Sequence, residues 1–108
     1  MKPEFEAIPL VKNADKQQFE ITIEGHKALI VYSEKPGIIT LIHTEVEPAL
    51  EGKGAATAVI EKTLNYLEQN KYQLVPRCPL VFAYIKKHPE WKRIVSKDFH
   101  GFDEEKNG

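Results

Sequence analysis

Cysteine is almost absent from this sequence, in which Cys78 is the single residue of its type among 108. One cysteine cannot form an internal disulfide, so a disulfide-stabilised scaffold is excluded and a reducing compartment is indicated. Long apolar runs are also missing: none could span a bilayer, and the opening MKPEFEAIPL lacks the apolar core and cleavage site of a secretory signal. We therefore predict a cytoplasmic protein.

An excess of charge of one sign is missing as well. The formal net charge is -1, which gives no general attraction to nucleic acid or to an anionic membrane, so we expect neither as a partner. The residues that are present, 42% hydrophobic and 29% charged, are typical of a globular protein. The length allows a single domain over residues 1–108, with a polar arm at 1–18 and a flexible tail at 102–108.

Several apolar segments have the features of β-strands. Gly25-His26 and a Pro-Gly pair at positions 36 and 37 provide turns between the first three of them. The third starts apolar on both faces, as a central strand does, and ends polar. The predicted strands are residues 19–24, 28–32, Ile38–Val46 and 72–76, with residues 7–11 as a candidate edge strand.

Two segments have helical features. Between residues 54 and 71 the apolar side chains fall on one helical stripe, and Asn70 suits the end of the helix because asparagine tolerates a left-handed conformation. A second helix covers residues 80–88, stops before Pro89, and is followed by a turn or short helix at 89–95.

The prediction is an α/β (α+β) fold, with a mixed, mostly antiparallel sheet of four to five strands and two main helices. The predicted inner stripe of the first helix is Ala56, Val59, Ile60, Leu64 and Leu67.

A tight glycine loop connects the third strand to the first helix. Gly52 and Gly54 can adopt backbone angles closed to other residues and place no Cβ in the path of a ligand. The first helical turn leaves amide hydrogens unpaired, and the helix dipole adds positive potential there. This junction is therefore predicted to bind a phosphate group. Neither a P-loop nor a dinucleotide fingerprint fits, because the required first or third glycine falls on Glu47 or Thr57.

The segment HTEVEPALEGKGAA, the helix after it, and the later LVPRCP and AYIKKHP resemble the GNAT superfamily of acetyl-CoA-dependent N-acetyltransferases, in particular its small single-domain members of the YjdJ type. The resemblance covers about residues 38–91. It implies a truncated GNAT-like fold whose glycine loop grips the diphosphate of acetyl-CoA, and an acetyl transfer to an amine. The implied cofactor-binding residues are Val46, Gly52, Lys53, Gly54, Ala55, Ala56 and Thr57.

Cys78 is the first candidate for a chemical role. It precedes Pro79 at the expected start of the second helix and follows Arg77, two features that favour a thiolate. Similar YjdJ-type proteins carry a cysteine in this PxCP setting beside the acyl group. Two mechanisms stay open: transfer through an acetyl-Cys78 intermediate, or direct attack of an amine on acetyl-CoA. A lone cysteine is also often only a small buried core residue.

Direct attack requires a base, and His43 is the natural candidate because histidine titrates near neutral pH. Glu45, two residues further along the same strand face, could orient His43 or replace it. Tyr84 occupies the place of the tyrosine in the GNAT pattern Tyr-x-x-x-Gly-Phe, although His88-Pro89 replaces Gly-Phe. The resemblance implies that this tyrosine protonates the departing CoA thiolate. We expect His43 and Cys78 to lie together at the acyl end.

Other functions remain open at this point. The short chain lacks the N-terminal helices that enclose the acceptor site of larger GNAT enzymes, which is compatible with a non-catalytic acyl-CoA-binding or protein-interaction module. A thiol sensor based on Cys78 is a weaker possibility, since a second cysteine is missing. The sequence identifies no acceptor and no metal site, and it leaves a monomer and a weak homodimer as alternatives.

Overall fold

A computed structural model describes residues 2–102 as a five-stranded sheet with helices packed against it. The strands lie in the order β1-β2-β3-β4-β5, antiparallel except for the parallel pair β4 and β5. This arrangement confirms the predicted fold class. The elements in chain order are α1 (Pro3–Glu6), β1 (Val11–Asn13), β2 (Gln18–Ile23), β3 (His26–Lys35), β4 (Ile38–Val46), a 3₁₀ turn (Pro48–Leu50), α2 (Ala55–Gln69), β5 (Gln73–Pro76), α3 (Pro79–Lys87) and a 3₁₀ helix (Pro89–Ile94).

The hydrophobic core lies between α2 and one face of the sheet. Phe19 of β2 is fully buried, and its ring centroid lies 5.4 Å from that of Tyr66 on α2. Cross-strand partners point to the same face of a sheet, so the buried hydrophobic residues of β2 and β3 share this face with Phe19. They include Ile21, Ala28, Ile30 and Tyr32. Four members of the predicted α2 stripe are buried, whereas Ala56 is only half-buried.

The opposite face of the sheet, which we call the open face, carries polar and half-exposed side chains. Glu20 lies on it and is paired with Leu29, which in turn is paired with Glu45 of β4. Glu20 is 7% exposed because Gln18 and Lys27 fold over its carboxylate, with the Gln18 amide nitrogen at 2.6 Å and the Lys27 ammonium at 3.3 Å. A cavity of about 570 Å³ lies over this face and includes His43.

The predicted boundaries of β4 are confirmed, and the arm and tail need correction. The arm contains the short helix α1, which buries Phe5, and its edge strand is Val11–Asn13 and not residues 7–11. The left-handed residue after α2 is Lys71, with φ 61°, and not Asn70. Phe102, which the prediction placed in the tail, is buried, with its ring centroid 4.4 Å from that of Phe82. The rest of that predicted tail, residues 103–108, lies outside the described residues.

No helix within residues 2–102 combines the length and apolar character that a membrane crossing requires.

Glu20 makes a testable contribution to the pH dependence of folding. The hydrogen bond from Gln18 and the neighbouring Lys27 lower the pKa of this carboxyl below its ordinary value of 4.5. A lowered folded-state pKa stabilises the protein above the unfolded pKa, and this stability is lost as the pH falls through the folded value. Urea unfolding between about pH 6 and 3 should therefore show a shallower loss of stability for Glu20→Gln than for the wild type. Identical pH profiles would contradict this assignment.

Candidate functional site

The connection from β4 to α2 reverses direction through a 3₁₀ turn and two left-handed glycines. The Leu50 amide donates to the Glu47 carbonyl at 2.8 Å, and the Glu51 amide donates to the Pro48 carbonyl at 3.1 Å. Gly52 and Gly54 then take φ values of 76° and 86°, in the region that side chains with a Cβ rarely adopt. This backbone path delivers the chain to the start of α2.

Among residues 2–102, no protein group caps the N-terminal end of α2, which is the positive end of the helix dipole. The first helical bond runs from the Ala58 amide to the Gly54 carbonyl at 3.0 Å. No protein acceptor within residues 2–102 binds the amides of a set that we call the loop amides: Gly52, Gly54, Ala55, Ala56 and Thr57. No side chain caps α2, and its first turn contains no acidic residue. The dipole potential at this end is therefore uncompensated and suited to an anion.

Lys53 differs from its neighbours in the loop. Its amide donates to the Leu50 carbonyl at 3.2 Å, so this amide is not among the free ones. The residue is exposed, and its ammonium has no ion-pair partner in the part of the chain that the structure describes. Lys53 can therefore contribute a charge to this site through its side chain.

Strand β4 separates from β5 halfway along its length. The parallel pairing ends at Leu41 and Pro76, and residues 42–46 of β4 have no partner on β5. The Cys78 amide continues the contact by donating to the Leu41 carbonyl at 2.8 Å. The end of β4, including the half-buried Val46, therefore presents an edge toward the start of α3.

Cys78 lies inside this separation and is 1% exposed. Its sulfur lies 3.1 Å from the hydroxyl oxygen of Thr44, which is 9% exposed. Thr44 is paired with the buried Ile30, so it points to the α2 face of the sheet and Cys78 lies on that side. The thiol is thus held in the core at the point where β4 and β5 diverge.

His43 and Glu45 point to the other face. They are paired with Val31 and Leu29 on the open face, and a His43 Nε2 to Glu45 Oε1 distance of 3.3 Å joins them. Their side chains are 56% and 63% exposed. The structure therefore brings His43 and Glu45 together, as predicted, but it places His43 on the face of the sheet opposite to Cys78.

A β-bulge explains this separation. The register of β3 and β4 shifts where Val31 faces His43 and Tyr32 faces Leu41, which leaves Ile42 as the extra residue. Before the bulge Leu41 points into the core, and after it Thr44 does. The extra residue exchanges the two faces of the strand. Thr44 was not identified from the sequence because nothing in its local pattern signals the bulge.

Tyr84 lies in a groove between α2 and α3. A cavity of about 320 Å³ in this groove joins Tyr84 to Ala56 and Thr57 of the first α2 turn. Burial raises the pKa of the Tyr84 hydroxyl, and the negative charges of Glu61 and Glu90 raise it further, so the group stays protonated at neutral pH. Tyr84 lies six positions after Cys78, which corresponds to about 9 Å along the helix. Tyr84 is therefore close to the loop and not to the thiol.

Comparison with known protein families identifies the family of this chain. A model of the GCN5-related N-acetyltransferase family matches residues 18–94 and so includes all five strands except β1, together with α2 and α3. No curated protein matches the chain at a significant level. Because the matched segment covers most of the sequence, the chain belongs to the GCN5-related N-acetyltransferases, the GNAT superfamily.

Proposed function

We propose that this domain binds acetyl-CoA at the loop before α2 and transfers the acetyl group to the amine of an acceptor. The observation that carries the proposal is the set of loop amides, which lack a protein acceptor within residues 2–102 at a helix start without a cap or acidic residue. Members of this family generally use acetyl-CoA, and its diphosphate is an anion of the kind that a helix start binds.

The residues present fit the diphosphate. The loop amides would donate to its oxygens, the exposed Thr57 could add a hydroxyl, and Lys53 could add an ammonium. Val46 marks the end of the strand along which the pantetheine arm would run. A Cβ placed on Gly52 would meet no protein atom within 4 Å, so the space beside this residue is open to a ligand.

The acetyl group would lie at the edge of β4 where β5 diverges, near Thr44 and Cys78. In direct transfer the acceptor nitrogen forms a bond to the acetyl carbon and the carbon–sulfur bond of the thioester breaks. His43, positioned by Glu45, would accept the proton that the acceptor ammonium must lose, and would do so from the open face. Tyr84 is protonated at neutral pH and is the candidate donor for the departing thiolate, a role that requires the thioester sulfur to lie on the Tyr84 side of Cys78, toward the start of α2.

The burial of Cys78 favours direct transfer over an acetyl-cysteine route. A nucleophile must reach the carbonyl carbon, and this thiol is 1% exposed and in contact with Thr44. The same contact suits a packing role that keeps β4 and α3 in register. We therefore rank the acetyl-Cys78 intermediate second.

The alternative function is a non-catalytic acyl-CoA-binding module. The separation of His43 from the thiol by the sheet, and the high exposure of the His43–Glu45 pair, are the observations in its favour. Binding without turnover would distinguish it. In either case we propose a cytoplasmic protein, on the basis of its single cysteine, that acts as a monomer or a weak homodimer.

Replacement of Gly52 tests the binding site directly. Gly52 and Gly37 have nearly equal φ values, 76° and 77°, and an added Cβ meets no atom within 4 Å at either position. Each glycine-to-alanine change should therefore cost a similar amount of folding stability, on the order of 1 kcal/mol, because alanine is strained at positive φ. In isothermal titration with acetyl-CoA, only Gly52→Ala should weaken binding, because Gly37 lies at the opposite end of β4.

This comparison requires that the wild-type protein binds acetyl-CoA. Absence of heat at high micromolar acetyl-CoA would contradict the proposed function. Equal loss of affinity in Gly52→Ala and Gly37→Ala would show that the loop has no special role.

Cys78 provides a test of the chemical route. If the thiol is only a packing group, its reaction with a disulfide reagent in the native protein should be at least about 100-fold slower than in denaturant, because it requires local opening. Turnover should then survive in Cys78→Ala, measured at a temperature where the variant is folded. Radiolabel from acetyl-CoA that stays on the wild-type protein after denaturation, and is missing from Cys78→Ala, would instead establish the acetyl-cysteine route.

A further inference from the structure

The N-terminal segment lies beside the proposed diphosphate site. Phe5 of α1 is 4% exposed and anchors this segment in the core. A Cβ placed on Gly54 would lie 3.6 Å from Cε of Lys2 and 3.8 Å from a ring carbon of Phe5. The side chain of Lys2 therefore passes directly over the glycine that precedes the free amides of α2.

The ammonium of Lys2 has no carboxylate partner among residues 2–102. It lies over the Phe5 ring, whose centroid is 5.9 Å away. Lys2 and Lys53 line one cavity of about 530 Å³, together with Phe5 and with the carboxylates Glu4 and Glu24. Among residues 2–102 neither carboxylate forms an ion pair with either lysine, so both ammonium groups remain available to an anion, although the two carboxylates reduce the positive potential of the cavity.

From this placement we infer that Lys2 is a coenzyme-binding residue, which neutralises the diphosphate held by the amides at the start of α2. The inference rests on the proposed function. It assigns a binding role to a segment outside residues 18–94, to which the family match gives none. The sequence alone did not predict this role of Lys2, because the contact between Lys2 and Gly54 depends on the burial of Phe5.

Electrostatics explains why such a cation is useful here. The loop supplies donors and partial charges from the helix dipole, while the diphosphate carries full negative charges. Lys53 is the single positively charged residue of the loop, and Glu51 beside it carries a negative charge. The ammonium of Lys2, whose side chain contacts Gly54, would add a second positive charge near the ligand, and charge-assisted hydrogen bonds are the stronger class.

The test is isothermal titration of the full chain with coenzyme A, using Lys2→Gln, Lys2→Arg and the control Lys35→Gln. Lys35 is also an exposed lysine, but it ends β3 at the end of the sheet remote from the loop. At low salt, Lys2→Gln should raise Kd by about three- to tenfold, as expected for loss of one partly exposed charge contact. Lys2→Arg should stay near the wild-type Kd, and Lys35→Gln should not change it. Added salt should reduce the difference between Lys2→Gln and wild type.

Titration with dephospho-coenzyme A identifies the phosphate involved. Lys2→Gln should lose affinity by the same factor for this ligand, because it retains the diphosphate and lacks only the 3′-phosphate. A loss confined to coenzyme A would overturn the assignment to the diphosphate. Wild-type binding with no effect of Lys2→Gln would refute the role of Lys2 alone, whereas no binding to the wild type would refute the proposed function as well.

Discussion

The positive end of α2 is the constraint on which the rest of the site depends. A helix start is usually satisfied by a capping side chain or an acidic first turn, and α2 has neither. The left-handed Gly52 and Gly54 keep the preceding backbone from covering the amides, and buried residues on the inner stripe of α2 hold the helix against the sheet. The fold therefore maintains a group of unsatisfied donors at a fixed position, which is costly unless a ligand or water accepts from them.

The sheet divides the remaining chemistry between two faces. Cys78 and Thr44 lie on the α2 face, within the divergence of β4 and β5, whereas His43 and Glu45 lie on the open face. A coenzyme held at the start of α2 and an acceptor approaching over the open face would meet at the edge of β4. Under the proposed function, this division would keep the two substrates apart until they reach the same strand. The burial of Cys78 suits packing better than nucleophilic attack.

Much of this fold follows from local sequence patterns, because alternation, proline and glycine fix the limits of β4 and the start of α2. The side on which each β4 residue lies does not follow from them. Strict alternation would place His43 on the same face as Leu41, and one extra residue, Ile42, reverses the faces. The position of Lys2 was equally inaccessible, since it depends on a tertiary contact between Phe5 and the start of α2. The glycine loop itself was recognisable because its conformation requires particular residues at particular positions.

The most direct test of the central claim is a titration of the ¹⁵N-labelled protein with coenzyme A, followed through the backbone amide signals. The account predicts that the largest shifts belong to Gly52, Gly54, Ala55, Ala56 and Thr57, with little change at Gly37 at the other end of β4. Saturable binding that leaves these five amides unchanged, and shifts another part of the protein instead, would contradict it.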